Sequence, residues 1–114
     1  MTSPFVWFDN IGPARGKTTD FLAQTFGWTT QDIGPMTFLT NGGEMPFAAT
    51  CDAMEGVSGW VPYIEVQDLS AETQKARDNG ADILAEALEG PAGTATFLRD
   101  PGGAVLAIWK RNAA

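Results

Sequence analysis

An α+β fold built from two βαβββ modules is predicted by three observations: a phrase written twice, one helix-spaced segment ahead of each copy, and strand-length apolar runs elsewhere. "PMTFLTNGGEMPFAAT" (Pro35 to Thr50) and "TATFLRDPGGAVLAIW" (Thr94 to Trp109) each read Thr-Phe-Leu, a polar turn with Gly-Gly, then an apolar run. Thr37, Phe38 and Leu39 correspond to Thr96, Phe97 and Leu98, and Ala48 is matched to Ala107.

Each element follows from local pattern. "FVWFD" is an apolar first strand; Phe21, Leu22, Thr25 and Phe26 then recur at helical spacing. That helix is expected to begin near Pro13, which suits a first helical position, and to end at Gly27. "WTTQDI", "MTFLTN" and, after the Gly42-Gly43 turn, "EMPFAATC" complete the first module as three strands. "DAMEGVSG" is a small, polar connector to the strand "WVPYIEV". Asp68 or Ser70 can cap the helix "LSAETQKARDNG", where Leu69, Thr73 and Ala76 line one face and Asn79-Gly80 stops it. "DILAEAL", "GTATFLR" and "AVLAIWK" are the last three strands, with "DPGG" as a hairpin turn. One domain, residues 1–114, is expected, with module one at 1–55 and module two at 56–114.

Composition bounds the chemistry. A chain of 114 residues, 44% apolar and 18% charged, can bury a core without staples. The single Cys51 excludes an internal disulfide, and the absence of histidine removes the usual base of a nucleophilic triad. Seven basic against fourteen acidic residues give a net charge of −7, which opposes nucleic acid as a partner. No apolar run approaches the about 18 residues of a membrane span, and the start lacks the pattern of a secretion signal; a cytoplasmic location is expected, with no membrane partner.

Side-chain alternation sorts the strands into two faces. Val6 and Phe8, Ile64 and Val66, and Leu106 and Ile108 are assigned to the helices. Phe5, Trp7 and Asp9, then Val61, Tyr63 and Glu65, then Val105, Ala107 and Trp109, are left for the opposite faces. Large aromatics beside two carboxylates point to a binding cleft rather than a solvated surface.

In its paired modules the chain resembles the vicinal oxygen chelate superfamily of glyoxalases, bleomycin-resistance proteins and extradiol dioxygenases. The likeness rests on "FLAQTFGW", "WVPYIEVQDL" and "FLRDPGGAVLAIW", and spans essentially the whole chain. It implies a pseudo-two-fold, cup-shaped mixed sheet with helices outside, and a homodimer. It also implies metal-ligand positions on the first and last strand of each module, falling here at Trp7, Ala48, Val61 and Ala107. None of these side chains is a metal donor, so no metal and no other cofactor is expected.

"GPARGKTTD" imitates a phosphate-binding loop, but Gly12 and Gly16 enclose one residue too few, and the segment falls in the helix pattern. Trp28 and Trp60 read as packing or dimer contacts. The preferred function is metal-independent binding of an unidentified small molecule, aromatic or cationic, by Trp7, Ala48, Thr50, Val61, Tyr63, Ala107 and Trp109, with Asp9 or Glu65 complementing positive charge. Two alternatives stand beside it. One is a cofactor-independent isomerase or lyase using Asp9 or Glu65 as general acid or base, and the other a ligand-free structural or regulatory dimer.

Overall fold

The computed structural model describes residues 2–113. Its elements are β1 (Phe5–Ile11), α1 (Arg15–Phe26), β2 (Thr29–Ile33), β3 (Met36–Thr40), β4 (Ala48–Cys51), β5 (Gly59–Glu65), α2 (Leu69–Asp78), β6 (Asp82–Glu89), β7 (Gly93–Arg99) and β8 (Val105–Arg111). The order is strand, helix, three strands, twice over, as the repeat predicts. The chain forms two compact units: a first of Trp7–Val61, and a second that takes the remaining described residues.

Strand order in the first unit is β2-β3-β4-β1, with β3 antiparallel to both neighbours and β4 parallel to β1. In the second it is β6-β7-β8-β5, with the same senses. The parallel pair requires a crossover, and each helix supplies it. Each helix covers one sheet face. Leu22 of α1 packs with Leu39 and Ala48, flanked by Trp28 and Phe47. Under α2 the core is Val66, Leu98 and Ile108, joined by Ile64, Leu69, Ala76, Ala81, Ile83 and Leu106.

The helices are ended by different chemistry. Asp68 caps α2, its carboxylate accepting the Ala71 N–H at 3.0 Å. Glu72 in the first turn and Lys75 and Arg77 in the last complement the helix dipole. By contrast α1 has no side-chain cap and starts at Arg15, two residues later than Pro13 suggests, because Ala14 is held in a non-helical conformation (φ −129°, ψ 55°). Its end is as expected: Gly27 turns left-handed (φ 74°) and returns its N–H to Ala23.

One strand is shorter than its sequence suggests. "EMPFAATC" pairs only from Ala48, since Pro46 has no N–H for a ladder and the chain bulges out between Leu39 and Ala48. That connection holds the key to the register. Leu39 faces Ala48 across eight intervening residues, whereas Leu98 faces Leu106 across seven. The first turn is thus one residue longer, and the sequence match of Ala48 to Ala107 slips by one beyond it. A slip of one exchanges the two faces of a strand.

Candidate functional site

In the first unit, the face turned away from α1 carries Trp7, Asp9, Phe38, Ala49 and Cys51, because Asp9 is in register with Ala49, Ala49 with Phe38, and Cys51 with Ile11 and Met36. The Trp7 and Phe38 rings meet edge to face, centroids 5.6 Å apart. The Trp7 indole N–H donates to Asp9 Oδ1 at 2.7 Å, and Asp9 is only 4% exposed. Burial pushes the Cys51 thiol up to about 12, assisted by the negative charge of Asp9 and a hydrogen bond to it. Cys51 is therefore held as a thiol and is no nucleophile at neutral pH.

Ala48 and Thr50, expected on this face, are on the other. Ala48 is fully buried in the cluster with Leu22 and Leu39. Thr50 meets Thr19 of α1, oxygen to oxygen, at 2.6 Å. The Thr19 hydroxyl donates to the Arg15 carbonyl, so Thr50 is the donor in that pair. The physical reason is the longer turn: register makes Ala49, not Ala48, the counterpart of Ala107.

In the second unit the expected residues do share a face. Tyr63 and Phe97 both stand opposite Ala107, and their rings meet edge to face at 5.8 Å. All three are buried. One step along, Trp109 lies between Glu65 and Ala95. A Cβ on Gly93 would come within 2.4 Å of the Trp109 indole nitrogen and 2.3 Å of the Lys110 carbonyl, so glycine is required there. Arg111 places its guanidinium 5.0 Å from the centre of the Trp109 ring and binds Glu65 through two hydrogen bonds of 3.0 and 3.3 Å. Glu65 in turn holds Arg111 further into its charged form. A pocket of about 340 Å³ is lined by Thr2, Ser3, Glu65, Val66 and Gln67. The Ser3 hydroxyl accepts the Glu65 N–H at 2.8 Å.

Val61, fully buried, holds the same register position in β5 as Trp7 in β1, two residues ahead of Tyr63 and Asp9 respectively. With the register corrected, the four positions that the resemblance assigns to metal ligands carry an indole, two methyl groups and an isopropyl group: Trp7, Ala49, Ala107 and Val61. These residues do not fit a metal ion. Among the described residues no three His, Cys, Asp or Glu side chains gather in one place.

Three contributors escape the sequence reading. Phe38 and Phe97 lie inside the repeated Thr-Phe-Leu; once the leucines face the helices, alternation sends the phenylalanines to the other side. Arg111 stands two residues beyond Trp109 on the same face, a spacing visible in "WKR". Elsewhere Trp28 packs against Phe26 and Phe47, while Trp60 is exposed. No helix among the described residues is long and apolar enough to cross a membrane.

No family model matches the chain. It is 29% identical over 117 aligned residues to a Mycobacterium tuberculosis protein named as a candidate glyoxylase, CFP32, and equally to its Mycobacterium bovis counterpart. The match covers 93% of this chain and 45% of each relative, so the chain spans under half the length of the curated proteins it matches. Among solved structures it is similar to a Streptomyces coelicolor methylmalonyl-CoA epimerase variant in complex with 2-nitronate-propionyl-CoA (TM-score 0.68, 16% identity, 99% of this chain and 100% of that one). It is also similar to methylmalonyl-CoA epimerase from Mycobacterium tuberculosis (TM-score 0.66, 15% identity, 96% and 88%). A member of the glyoxalase/bleomycin resistance protein/dioxygenase superfamily from Vibrio splendidus gives a TM-score of 0.62 at 17% identity, covering 90% and 95%. Twin units of one strand order, each crossed by one helix, together with these likenesses, give this chain the vicinal oxygen chelate fold, the architecture of the glyoxalase/bleomycin resistance protein/dioxygenase superfamily.

Proposed function

We propose that the chain binds a small organic molecule, aromatic or cationic, against the sheet faces turned away from its helices, and does so without a metal ion. The observation that carries this reading is the composition of those faces. The edge-to-face pairs Trp7–Phe38 and Tyr63–Phe97 belong to neither helix-side core, and each stands beside a small residue, Ala49 or Ala107. Aromatic walls with a few placed polar groups are the usual lining of a small-molecule site. Non-donor side chains at the four metal positions support the metal-free part.

The test is a titration of the protein with aromatic cations and neutral aromatics, followed through the indole N–H resonances of Trp7 and Trp109. Saturable shifts that survive a chelator, and that weaken in Trp7→Ala or Tyr63→Ala, are expected. A panel that moves neither resonance removes the reading.

A second reading is favoured by one residue. Asp9 is a carboxylate almost withdrawn from water, and a buried carboxylate placed on a ligand-facing sheet is suited to proton transfer. Glu65 has both carboxylate oxygens engaged by Arg111. Turnover lost in Asp9→Asn and kept in Glu65→Gln would carry this reading, and the reverse pattern would end it.

A further inference from the structure

Glu65 and the face of Trp109 converge on one point, and the group at that point is a cation belonging to the chain itself. A carboxylate and an aromatic face aimed together at one spot are the chemistry that selects guanidinium and ammonium groups. Both walls rise from backbone that is held in place. Gly93 lets the Trp109 indole lie close against β7, where any side chain would collide with it. The Glu65 backbone is tied to Ser3 at both N–H and carbonyl. The occupant's side chain is held less firmly: it is 64% exposed, against 31% for Glu65, although its backbone is the last of β8 to pair, with Gly93. Fixed walls with an exposed, tethered filling form a site that its own chain occupies.

We propose that Glu65 and Trp109 form a cation subsite, that Arg111 is its resident occupant, and that a guanidinium- or ammonium-bearing ligand enters by displacing the Arg111 side chain. The idea deepens the binding reading above and rests on its cationic branch. It adds a competition: the pocket of about 340 Å³ beside Glu65 accommodates the remainder of the ligand, while Arg111 sets the threshold that its charged group must overcome. The net charge of −7 draws cations toward this surface and leaves an anionic competitor for Arg111 at a disadvantage.

Methylguanidinium and benzamidine, with neutral benzamide as control, test this against the wild type, Arg111→Ala and Arg111→Gln, the last retaining most of the side-chain stem over Trp109. Removing the resident cation is expected to tighten both cations by roughly tenfold, a gain typical of one cation–aromatic contact with one exposed ion pair. Benzamide should be unaffected, and adding Glu65→Gln to Arg111→Ala should abolish the gain. Equal cation affinity in wild type and both Arg111 variants overturns the proposal, as does a gain equally large for benzamide. The two readings part cleanly. Ligand-induced shifts at Trp7 or Trp109 with no gain on removing Arg111 leave the binding function standing and sink the competition. A gain for both cations confined to the Trp109 resonance, with Trp7→Ala and Tyr63→Ala without effect on binding, supports the subsite and sinks the reading that the Trp7 and Tyr63 faces hold the ligand.

Discussion

The two units share a scaffold and differ in what they do with its outer surface. On the helix side they are nearly interchangeable: Leu39 and Leu98 occupy matching places, and one threonine on each helix, Thr19 or Thr73, meets a threonine of the sheet. On the opposite side the first unit buries Asp9 beside Trp7 and Cys51, whereas at the next matched pair along, where the first has Ile11 and Cys51, the second sets Glu65 and Trp109 and adds Arg111. What duplication kept is the part that folds the module. What diverged is the part that no helix covers, where side chains are chosen for what the face recognises rather than for closing the module.

If the helix sides are truly equivalent, truncating either leucine should cost alike. Leu39→Ala and Leu98→Ala are each expected to lose about 2–5 kcal/mol in denaturant unfolding, and a large inequality would break the comparison. Glycines sharpen it next. Gly34 and Gly93 stand at equal distances before the repeated phenylalanine, but Gly93 is needed for space and Gly34 for its positive φ of 59° in open surroundings. Gly93→Ala should therefore cost about 1–3 kcal/mol and alter Trp109 fluorescence, while Gly34→Ala costs about 1 kcal/mol and leaves that fluorescence alone.

The threonine pairs come third. Thr96 also accepts the Ala87 N–H at 3.0 Å, so Thr96→Val orphans a backbone donor and is expected to cost about 1–3 kcal/mol. Thr50→Val removes only a donor to Thr19 and should cost about 0.5–1.5 kcal/mol. A fourth effect is confined to alkaline solution. The thiol of Cys51 ionises at 9.0 in an unfolded chain and at about 12 here, so between those values the unfolded state sheds a proton that the folded state retains. Stability present below pH 9.0 is thus lost as pH rises toward about 12, and Cys51→Ala should flatten that slope. An unchanged slope would show that Cys51 is not desolvated as its surroundings indicate.

The fold was readable because its evidence is periodic and repeated. Gly27, Asp68 and Asn79-Gly80 mark helix ends by chemistry that acts locally. The candidate site was readable only in part, and the failure has one source. Counting from the repeated phrase puts Ala48 and Thr50 on the wrong face, because the turn it crosses differs in length between the modules. A strand's faces are fixed by what packs, Leu22 on Ala48 and Thr19 on Thr50, and not by distance along the chain from a matched phrase. Tyr63, Ala107 and Trp109 escaped that error since no such count was needed for them. The role of Arg111 is not legible in the sequence, because a lone arginine reads as solvated until its partner, 46 residues away, is brought beside it.

At the end of the second unit's strand order lies β6, whose pairing with β7 slips between Ile83 and Ala85 and again before Leu88. Ala87 adopts a φ of 55° there and sends its N–H to the side chain of Thr96 rather than to a neighbouring backbone. A straight edge strand offers its free amides and carbonyls as a template to any passing chain. The double slip breaks that template where Leu88 is exposed, so in crowded or concentrated solution β6 is a poor seed for fibrillar stacking, and Thr96 guards colloidal behaviour as well as the core.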